Sequence, residues 1–323
     1  MKAFVVYKKG EAPKLSQDFP MPKQGNDNEI LLNVKAAAIK NLDIARASGN
    51  HYSLNFDDKQ AKIVGTDAVG TLRDGSVVYA MGLNGTLAEK VWVNKNTVVP
   101  VPDNLDVATA ASLPNAAMGS ALALLFRAKM QANEVVLING ATGTTGQMAV
   151  QLAKNYGAKK IIATGRNELV LNELKKYGAN IIDLKQDEEK IVKSLVEIHK
   201  ENPIDIVIDY LWGRPAELIF SALKSKGTYT HKTRFVTVGA MANNLINLDS
   251  GLLRSTDIQL LGSGLGTWTP EEVETFYNTI LPTLFENASK GELKIITNSI
   301  SIDEIELYWN KKLDNNKRLV VLV

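Results

Sequence analysis

The sequence predicts an α/β protein with two domains, one built from short strands and one in which strands and helices alternate. Its 323 residues favour two domains over one. Short apolar segments separated by glycine, aspartate and asparagine fill the first third of the chain, whereas strand and helix patterns alternate through the middle third. Such alternation is typical of a doubly wound parallel sheet, with a helix in each crossover between neighbouring strands.

Composition narrows the class of protein and the chemistry open to it. Apolar residues make up 45% and charged residues 22% of the chain, which excludes a disordered or fibrous protein. The formal charge of +2 is too small to favour nucleic acid or an anionic membrane as a partner. Because the chain lacks cysteine, it has no disulfide, thiolate nucleophile or cysteine-ligated zinc. Its three histidines, His51, His199 and His231, do not have the spacing of metal ligands.

The first third is predicted to form a small barrel or a folded antiparallel sheet. Its candidate strands are rich in valine, alanine and aromatic residues. Asp74-Gly75 and Asn84-Gly85 are turn signals, and each predicts a tight hairpin. The predicted strands cover residues 2–7, 29–36, 68–72, 76–81 and 87–93.

Residues 107–126 carry no charge and are numerous enough to cross a membrane. Pro114, Asn115 and Gly119 make the segment only weakly apolar, so we predict a loop followed by a buried helix. At the amino terminus, one short apolar run is followed at once by Lys8-Lys9, unlike a signal peptide. We therefore expect a cytoplasmic protein.

The middle third predicts the parallel sheet. Its strands and helices alternate in the order 135–139, 146–156, 160–164, 168–177, 180–183, 187–200, 204–210, 215–223 and 233–238, beginning with a strand. A further strand at 258–262, a helix at 271–288 and an apolar strand at 318–323 follow. Periodicity leaves open whether the last strand returns to the first domain.

A glycine-rich turn between the first strand and the first helix predicts a dinucleotide site. Gly140, Gly143 and Gly146 allow a tight turn and a close approach of the backbone to a pyrophosphate, which the amide groups at the helix start would bind. The strict G-x-G-x-x-G spacing is not met, and a plain turn with surplus glycine is the alternative. The expected contacts are Thr142, Gly143, Thr144 and Thr145.

The end of the second strand predicts NADPH as the cofactor. NAD sites usually carry an acidic residue there, but this strand ends in Gly165, Arg166 and Asn167, with Arg166 placed 20 residues (166 − 146) after Gly146. A guanidinium group can pair with a 2′-phosphate, and its two neighbours offer further donors. The alternative is a solvated surface arginine paired with Glu168.

The chain resembles the zinc-free quinone oxidoreductase branch of the medium-chain dehydrogenase/reductase superfamily. The resemblance runs nearly end to end and adds five motifs to the glycine-rich turn. These are SGNHY at 48–52, GTDAVG at 65–70, LPNAAM at 113–118, VGA at 238–240 with LGS at 261–263, and KRLVV at 317–321.

The resemblance implies a discontinuous GroES-like β-barrel catalytic domain, residues 1–117 with 269–323, and an inserted Rossmann domain, residues 118–268. It implies an active site in the cleft and a homodimer joined through an edge strand near residues 258–263. Further cofactor contacts are expected at Tyr210, Val238, Gly239, Ala240 and Ser263.

Two departures concern metal ligands. Zinc alcohol dehydrogenases have a cysteine early in the first domain and a G-H-E segment, whereas this chain has Lys40-Asn41 and Gly65-Thr66-Asp67. Without a Lewis acid, hydride transfer from NADPH to an already electrophilic acceptor is the more natural reaction. A quinone or an α,β-unsaturated carbonyl is the expected small-molecule substrate.

The oxygen of such an acceptor needs hydrogen-bond donors and a proton. The candidates are Tyr52, His51, Lys40, Asn41 and Asn115. Each has a simpler alternative: an apolar wall for the tyrosine, a locally bonded loop residue for the histidine, a solvated or ion-paired lysine, and loop braces for the asparagines. Asp43 and Asp67 are expected to bond barrel backbone.

Two other functions stay open from the sequence. A non-catalytic NADPH-binding protein, such as a redox sensor or a structural relative, would bind the cofactor without turnover, because fold does not fix function. An alcohol dehydrogenase is opposed by the absent zinc ligands.

Overall fold

Two groups of secondary-structure elements, each around its own apolar core, divide the chain. The computed structural model describes residues 1–49, 61–225, 227–309, 311 and 316–323. Residues 1–114 and 277–323 form the first unit, and residues 115–276 form the second. Phe4 and Leu32 lie in the core of the first unit, and Leu137 and Phe235 lie in the core of the second.

Strands and helices follow one another in the order expected of an α/β protein. In chain order the strands are β1 (Ala3–Val6), β2 (Lys14–Ser16), β3 (Glu29–Ala38), β4 (Lys62–Ile63), β5 (Asp67–Thr71), β6 (Val77–Met81), β7 (Lys90–Asn94), β8 (Val99–Pro100), β9 (Val135–Asn139), β10 (Lys160–Gly165), β11 (Ala179–Asp183), β12 (Ile206–Asp209), β13 (Thr233–Thr237), β14 (Ile258–Gly262), β15 (Thr297–Ser301) and β16 (Arg318–Leu322). The helices are α1 (Asn41–Ala47), α2 (Val107–Leu122), α3 (Thr144–Asn155), α4 (Glu168–Leu174), α5 (Glu188–Glu201), α6 (Gly213–Leu223), α7 (Ser250–Ser255), α8 (Pro270–Thr275), α9 (Leu281–Ser289) and α10 (Ile305–Trp309).

The first unit consists mainly of two sheets. Within the described residues, one sheet has the order β2-β1-β4, and the other has the order β15-β16-β3-β5-β6-β8, with β7 also paired to β3. The carboxyl-terminal strand β16 pairs antiparallel with β3, matching Val320 with Ala38. The last strand therefore returns to the first unit, a question that periodicity alone left open.

One of the two predicted hairpins forms and the other does not. Asp74-Gly75 joins β5 and β6, which pair in antiparallel register. The hairpin predicted at Asn84-Gly85 is wrong, because the following strand β7 pairs with β3 and meets β6 only at an isolated bridge between Gly82 and Val93. Glycine is needed at position 85 because a side chain there would overlap the carbonyl group of Ile63.

The predicted loop at the start of the uncharged segment is also wrong. Helix α2 runs without a break from Val107 through Pro114 and Asn115, and a wider π-helical turn extends it over Ala123–Arg127. A run of alanines favours the helix, and this gain outweighs the backbone hydrogen bond that the proline cannot donate. The segment Val107–Arg127 is long and apolar enough to cross a membrane, but 67% of an apolar 18-residue stretch within it is buried inside the protein, as in a core helix.

The second unit contains the predicted doubly wound parallel sheet, and the α/β fold class is confirmed. In the part of the chain that the structure describes, its order is β11-β10-β9-β12-β13-β14, and every neighbouring pair is parallel. From β9, the next two strands, β10 and β11, are added on one side of the sheet. Strand β12 then pairs with the other side of β9, so the order of the strands reverses there. The carboxyl ends of the strands beside this reversal are where ligands bind in such sheets.

Candidate functional site

The glycine-rich turn lies at the carboxyl end of the central strand β9. Gly140 has a left-handed φ of 89°, which directs the chain from the strand towards α3. A side chain at Gly146, in the first turn of α3, would overlap the carbonyl oxygen of Gly140. This contact folds the turn tightly against the helix start.

Gly143 is the residue at which a ligand could approach the helix start. It is the N-cap of α3, and no side chain caps the helix there. A Cβ at this position would meet only the Gly140 carbonyl oxygen, at 3.8 Å, so protein packing does not require glycine. The amide groups of an uncapped helix start favour an anion, and the turn therefore fits the pyrophosphate of a dinucleotide.

The end of the second strand lies beside this turn. The Ala141 amide donates to the Thr164 carbonyl at 2.7 Å, and a side chain at Gly165 would overlap that of Thr142. The structure thus brings Thr142, the first of the predicted turn residues, next to Gly165.

Arg166 is exposed, and the guanidinium has no hydrogen-bond or ion-pair partner among the described residues. The alternative pairing with Glu168 is not formed. Asn167 caps α4, because its side-chain oxygen accepts from the Val170 amide at 3.3 Å. The cation at the end of β10 is therefore available to an anionic ligand.

Two of the other predicted cofactor contacts are occupied by protein partners. The buried Tyr210 hydroxyl lies 2.9 Å from the Ser120 hydroxyl, which in turn donates to the Thr145 carbonyl. Ser263 is buried, and its hydroxyl accepts from the Trp268 indole at 3.0 Å. Val238 and Gly239 follow β13 and are half-buried, and Ala240 after them is exposed.

A buried polar network at the same edge of the sheet was missed by the sequence interpretation. Thr164 donates to the Asn139 side-chain oxygen at 2.6 Å, and the Asn139 amide group donates to Asp209 at 2.7 Å. Each of these residues stands at or next to the end of its strand. Polar residues that end apolar strands were the available signal, since carboxyl ends of parallel strands meet at one edge.

Asp209 is the titratable member of this network. Burial raises its pKa to about 6, although hydrogen bonds from the Leu211 amide, the Asn139 side chain and the Trp212 amide oppose the rise.

In the first unit, a buried lysine lies between two carboxylates. Lys40 is the N-cap of α1, and its ammonium group pairs with Asp67 and, at 3.4 Å, with Asp43. The three side chains are almost fully buried. Burial alone would lower the pKa of Lys40, but the two carboxylates outweigh it and raise that pKa above its ordinary value. The lysine is therefore charged.

Further hydrogen bonds surround the same lysine cluster. The Tyr79 hydroxyl donates to Asp67 at 2.7 Å, and the Thr66 hydroxyl donates to Asp43 at 2.9 Å. The Lys40 amide also donates to Asp43 at 2.9 Å, so Asp43 does bond backbone, whereas the Asp67 carboxylate bonds side chains. The sequence left open whether Lys40 is a donor to the acceptor, a solvated lysine or an ion-paired one, and in the structure it is ion-paired.

Two of the four remaining acceptor-side candidates lie in described elements. Asn41 is exposed at the first position of α1. Asn115 lies within α2 instead of in a loop, because that helix is continuous. His51 and Tyr52 lie outside the described residues.

A match to a known family raises the question whether this protein binds zinc. Residues 144–281 match the family model described as "Zinc-binding dehydrogenase". The donor set of the described residues does not fit the metal: the sequence has no cysteine, and across residues 1–49, 61–225 and 227–309 no three histidine, aspartate or glutamate side chains are grouped to hold an ion. The carboxylates of Asp43 and Asp67 instead hold the Lys40 ammonium.

Relatives support the same family along most of the chain. The quinone oxidoreductase of Sus scrofa is 28% identical over 286 residues, which cover 85% of this chain and 83% of that protein. The quinone oxidoreductase from Thermus thermophilus, whose structures include its complex with NADPH, has a TM-score of 0.81 at 25% identity and covers 100% of both chains. An alcohol dehydrogenase superfamily protein from Novosphingobium aromaticivorans has a TM-score of 0.82 at 23% identity and covers 100% of this chain and 99% of its own. With the parallel sheet and its glycine-rich turn, these similarities support the resemblance of the chain to the quinone oxidoreductase branch of the medium-chain dehydrogenase/reductase superfamily.

Proposed function

We propose that this protein is an NADPH-dependent reductase that transfers hydride to a quinone or an α,β-unsaturated carbonyl without zinc. The observation that carries the proposal is the unpartnered Arg166 beside the uncapped start of α3. A nicotinamide cofactor is supported by the relatives, one of which was solved with NADPH. The preference for NADPH over NADH rests on the charge of Arg166 at the position where NAD sites carry an acid.

The proposed cofactor residues divide by the part of the molecule they would bind. The amides from Gly143 to Thr145 would bind the pyrophosphate, with Thr142 beside them, and Gly165, Arg166 and Asn167 would bind the 2′-phosphate ribose. Val238, Gly239 and Ala240 would contact the nicotinamide half. Tyr210 and Ser263, whose hydroxyls bond to Ser120 and Trp268, would contribute contacts of their buried side chains. When bound, NADPH would supply the hydride.

Zinc independence is supported by the Lys40 cluster. A divalent cation needs carboxylate or other donor atoms that are free to bind it, and Asp43 and Asp67 already pair with an internal ammonium group. Without a Lewis acid, the acceptor must be electrophilic before it binds, as quinones and enones are.

The first unit is proposed as the catalytic domain and the second as the cofactor domain. Tyr52, His51, Asn41 and Asn115 are the proposed hydrogen-bond donors for the acceptor oxygen, where negative charge develops. Lys40 is proposed to support this domain from the interior, because its buried ammonium pairs with Asp43 and Asp67.

A cytoplasmic homodimer is also proposed. The edge strand β14 exposes Gln259 and Leu260, and it leaves one row of backbone groups without a neighbouring strand in the sheet, as far as the described residues extend. A second copy of β14 would satisfy those groups.

The function is tested by following NADPH oxidation through the absorbance band of the reduced cofactor, with a panel of quinones and small enones. We expect oxidation with at least one acceptor, a lower rate with NADH, and no loss of rate after dialysis against a chelator. NADPH binding without oxidation of any acceptor would favour the non-catalytic alternative. Loss of rate that added zinc restores would contradict zinc independence.

A further inference from the structure

The network of Thr164, Asn139 and Asp209 links three neighbouring strands of the parallel sheet at its carboxyl edge. All three side chains are at most 1% exposed. Thr164 stands near the end of β10, Asn139 ends β9 and Asp209 ends β12. Because Asn139 directly precedes the glycine-rich turn, the hydrogen bond from its amide group to Asp209 fixes the point at which that turn begins.

Asp209 also holds the turn that leads into α6. Its carboxylate accepts from the Leu211 amide at 3.1 Å and from the Trp212 amide at 3.1 Å. Trp212 has a left-handed φ of 53°, which is unfavourable for a residue with a side chain. The two hydrogen bonds to the carboxylate compensate for that strain.

The backbone of Asp209 reaches a third segment. Its carbonyl oxygen accepts from the Val238 amide at 2.7 Å and the Gly239 amide at 3.2 Å. These are residues proposed to contact the nicotinamide half of the cofactor. The Asp209 side chain therefore bonds the residue that precedes the glycine-rich turn, and its backbone carbonyl bonds the loop at 238–240.

We infer that Asp209 is a positioning residue: its carboxylate fixes the start of the glycine-rich turn through Asn139, its backbone carbonyl holds the loop at 238–240, and the carboxylate contacts set cofactor affinity. The inference rests on the proposed function, because it assumes that these loops bind NADPH. Asp209 itself is 0% exposed and acts only through the residues that it holds.

The ionised carboxylate is the form that suits this geometry. Its partners, the Asn139 amide group and the amides of Leu211 and Trp212, are all donors, so a proton on either oxygen would face a donor and remove an acceptor. These partners are uncharged, and the titratable group coupled to the carboxylate among the described residues is the Tyr210 phenol, whose pKa burial raises. Since burial brings the pKa of Asp209 to about 6, the positioning should weaken as the pH falls through that value.

The test measures the Kd for NADPH by fluorescence titration of the full chain between about pH 5.5 and pH 8, a range that brackets the pKa of Asp209. For the wild type we expect binding to weaken roughly threefold or more at the acidic end. Asp209→Ala should weaken binding about tenfold near neutral pH. Asp209→Asn keeps the size of the side chain. The Kd of this variant divided by the wild-type Kd at the same pH cancels the titration of the cofactor's own phosphate. That ratio should fall towards one at low pH.

Asp205 provides a matched control near the opposite end of the same strand. Its carboxylate accepts from the Val135 amide at 2.7 Å, at the start of β9, and from His231 at 2.8 Å. Asp205→Asn should leave the Kd within about twofold of the wild-type value, while thermal unfolding shows its effect on stability.

Three outcomes would overturn the inference: wild-type Kd for Asp209→Ala, equal losses for Asp205→Asn and Asp209→Asn, or a wild-type-to-Asn ratio that does not change with pH. If Asp209→Ala does not fold, the pH-dependent ratio with Asp209→Asn still decides. A wild-type chain that binds no NADPH would contradict the proposed function as well, whereas wild-type binding with unaffected variants contradicts only the role of Asp209.

Discussion

Arg166 and Lys40 show how burial determines what a positive charge does in this protein. Arg166 is exposed at the end of β10 and has no partner among the described residues, so it can pair with a ligand. Lys40 is 2% exposed between Asp43 and Asp67, so its charge is used inside the protein. In the sequence, both appear simply as basic residues near the ends of predicted strands.

The first prediction concerns Arg166. Arg166→Asp should raise the KM for NADPH about 10- to 100-fold, because it removes charge-assisted hydrogen bonds and adds repulsion of the 2′-phosphate. The KM for NADH should stay the same or fall. Arg254→Asp, an equal charge change on α7, is the control and should leave both values unchanged. Equal effects of Arg166→Asp on both cofactors would refute the assignment of the 2′-phosphate.

The second prediction concerns the lysine cluster. Lys40→Met should lower the free energy of unfolding by about 3–5 kcal/mol, because two buried carboxylates lose their cation. Urea unfolding measures the change. Lys176→Met breaks an exposed pair with Glu173 and should cost less than about 1 kcal/mol.

The pH dependence of this loss follows from the raised pKa of Lys40. Burial acts to lower that pKa, but the two carboxylates raise it by more. A raised pKa in the folded state means that the stabilisation is complete below the ordinary value of 10.5 and is lost only as the pH rises through the folded value. The part of the difference that comes from the Lys40 charge should therefore be complete near neutral pH and be lost only in alkali. Towards acid the difference should also shrink, because burial raises the pKa of Asp43 and in Lys40→Met this carboxyl takes up a proton more readily. A difference that shrinks as the pH rises from about 7 to about 9 would contradict a charged, buried lysine.

At the scale of elements, the glycine-rich turn and α3 form one structure in which the three glycines have different tasks. Gly140 needs its left-handed φ, and Gly146 needs the absence of a side chain because the Gly140 carbonyl lies against it. Gly143 has neither requirement: its φ is −76° and a Cβ would be in ordinary contact at 3.8 Å. The first two therefore serve the fold, and Gly143 serves the proposed ligand.

This difference gives the third prediction. Gly146→Ala should lower stability by about 1–3 kcal/mol, because backbone must shift to admit the methyl group, and it should weaken NADPH binding as well. Gly143→Ala should lower stability by no more than about 1 kcal/mol yet still weaken NADPH binding, since the methyl group would stand where the pyrophosphate lies. Thermal unfolding and fluorescence titration separate the two effects. Unchanged NADPH binding by Gly143→Ala would contradict a pyrophosphate site at this turn.

At the scale of the whole molecule, the parallel sheet of the second unit has two edge strands. Strand β11 is one edge and β14 is the other. On β14, Leu260 is 39% exposed and Gln259 beside it is also exposed. An apolar residue on an unpaired edge favours pairing with another copy of the strand.

The fourth prediction is that the protein is a dimer joined through β14. Leu260→Lys should convert it to a species of 35.3 kDa in sedimentation velocity, because an edge lysine opposes strand pairing. Asn180→Lys, at an exposed position on the opposite edge strand β11, should leave the dimer intact. A wild-type protein that sediments as a monomer, or a dimer that survives Leu260→Lys, would contradict this interface.

Much of the second unit could be predicted because its signals are local. Strand β9 spans the predicted residues 135–139, and β14 spans the predicted residues 258–262, since a short apolar run bounded by turn residues marks a buried strand. Helix α2 was predicted less well: Pro114 and Asn115 indicate a loop locally, but the surrounding alanines and the buried position of the segment favour one helix. Strand β7 was misassigned to a hairpin because its partner β3 lies far away in the sequence.

The candidate site likewise has some features that depend on neighbouring residues and others that depend on residues far apart in the sequence. The glycine-rich turn and Arg166 are contiguous with strands and helices, so their placement could be predicted from spacing. The ion pair of Lys40 with Asp67 joins residues 27 positions apart, and the hydrogen bond from Asn139 to Asp209 joins residues 70 positions apart. No periodic pattern connects such residues.

The sequence by itself determined the alternation of strands and helices, the glycine-rich turn and the cation at the end of the second strand, because backbone preferences and apolar periodicity act over a few neighbouring residues. Only the tertiary structure decided that the last strand pairs with β3, that Lys40 is ion-paired in the interior and that Asp209 bonds both Asn139 and the loop at 238–240. Burial and the choice of hydrogen-bond partners depend on distant segments meeting, and burial determines whether a charged group is available to a ligand or used by the fold.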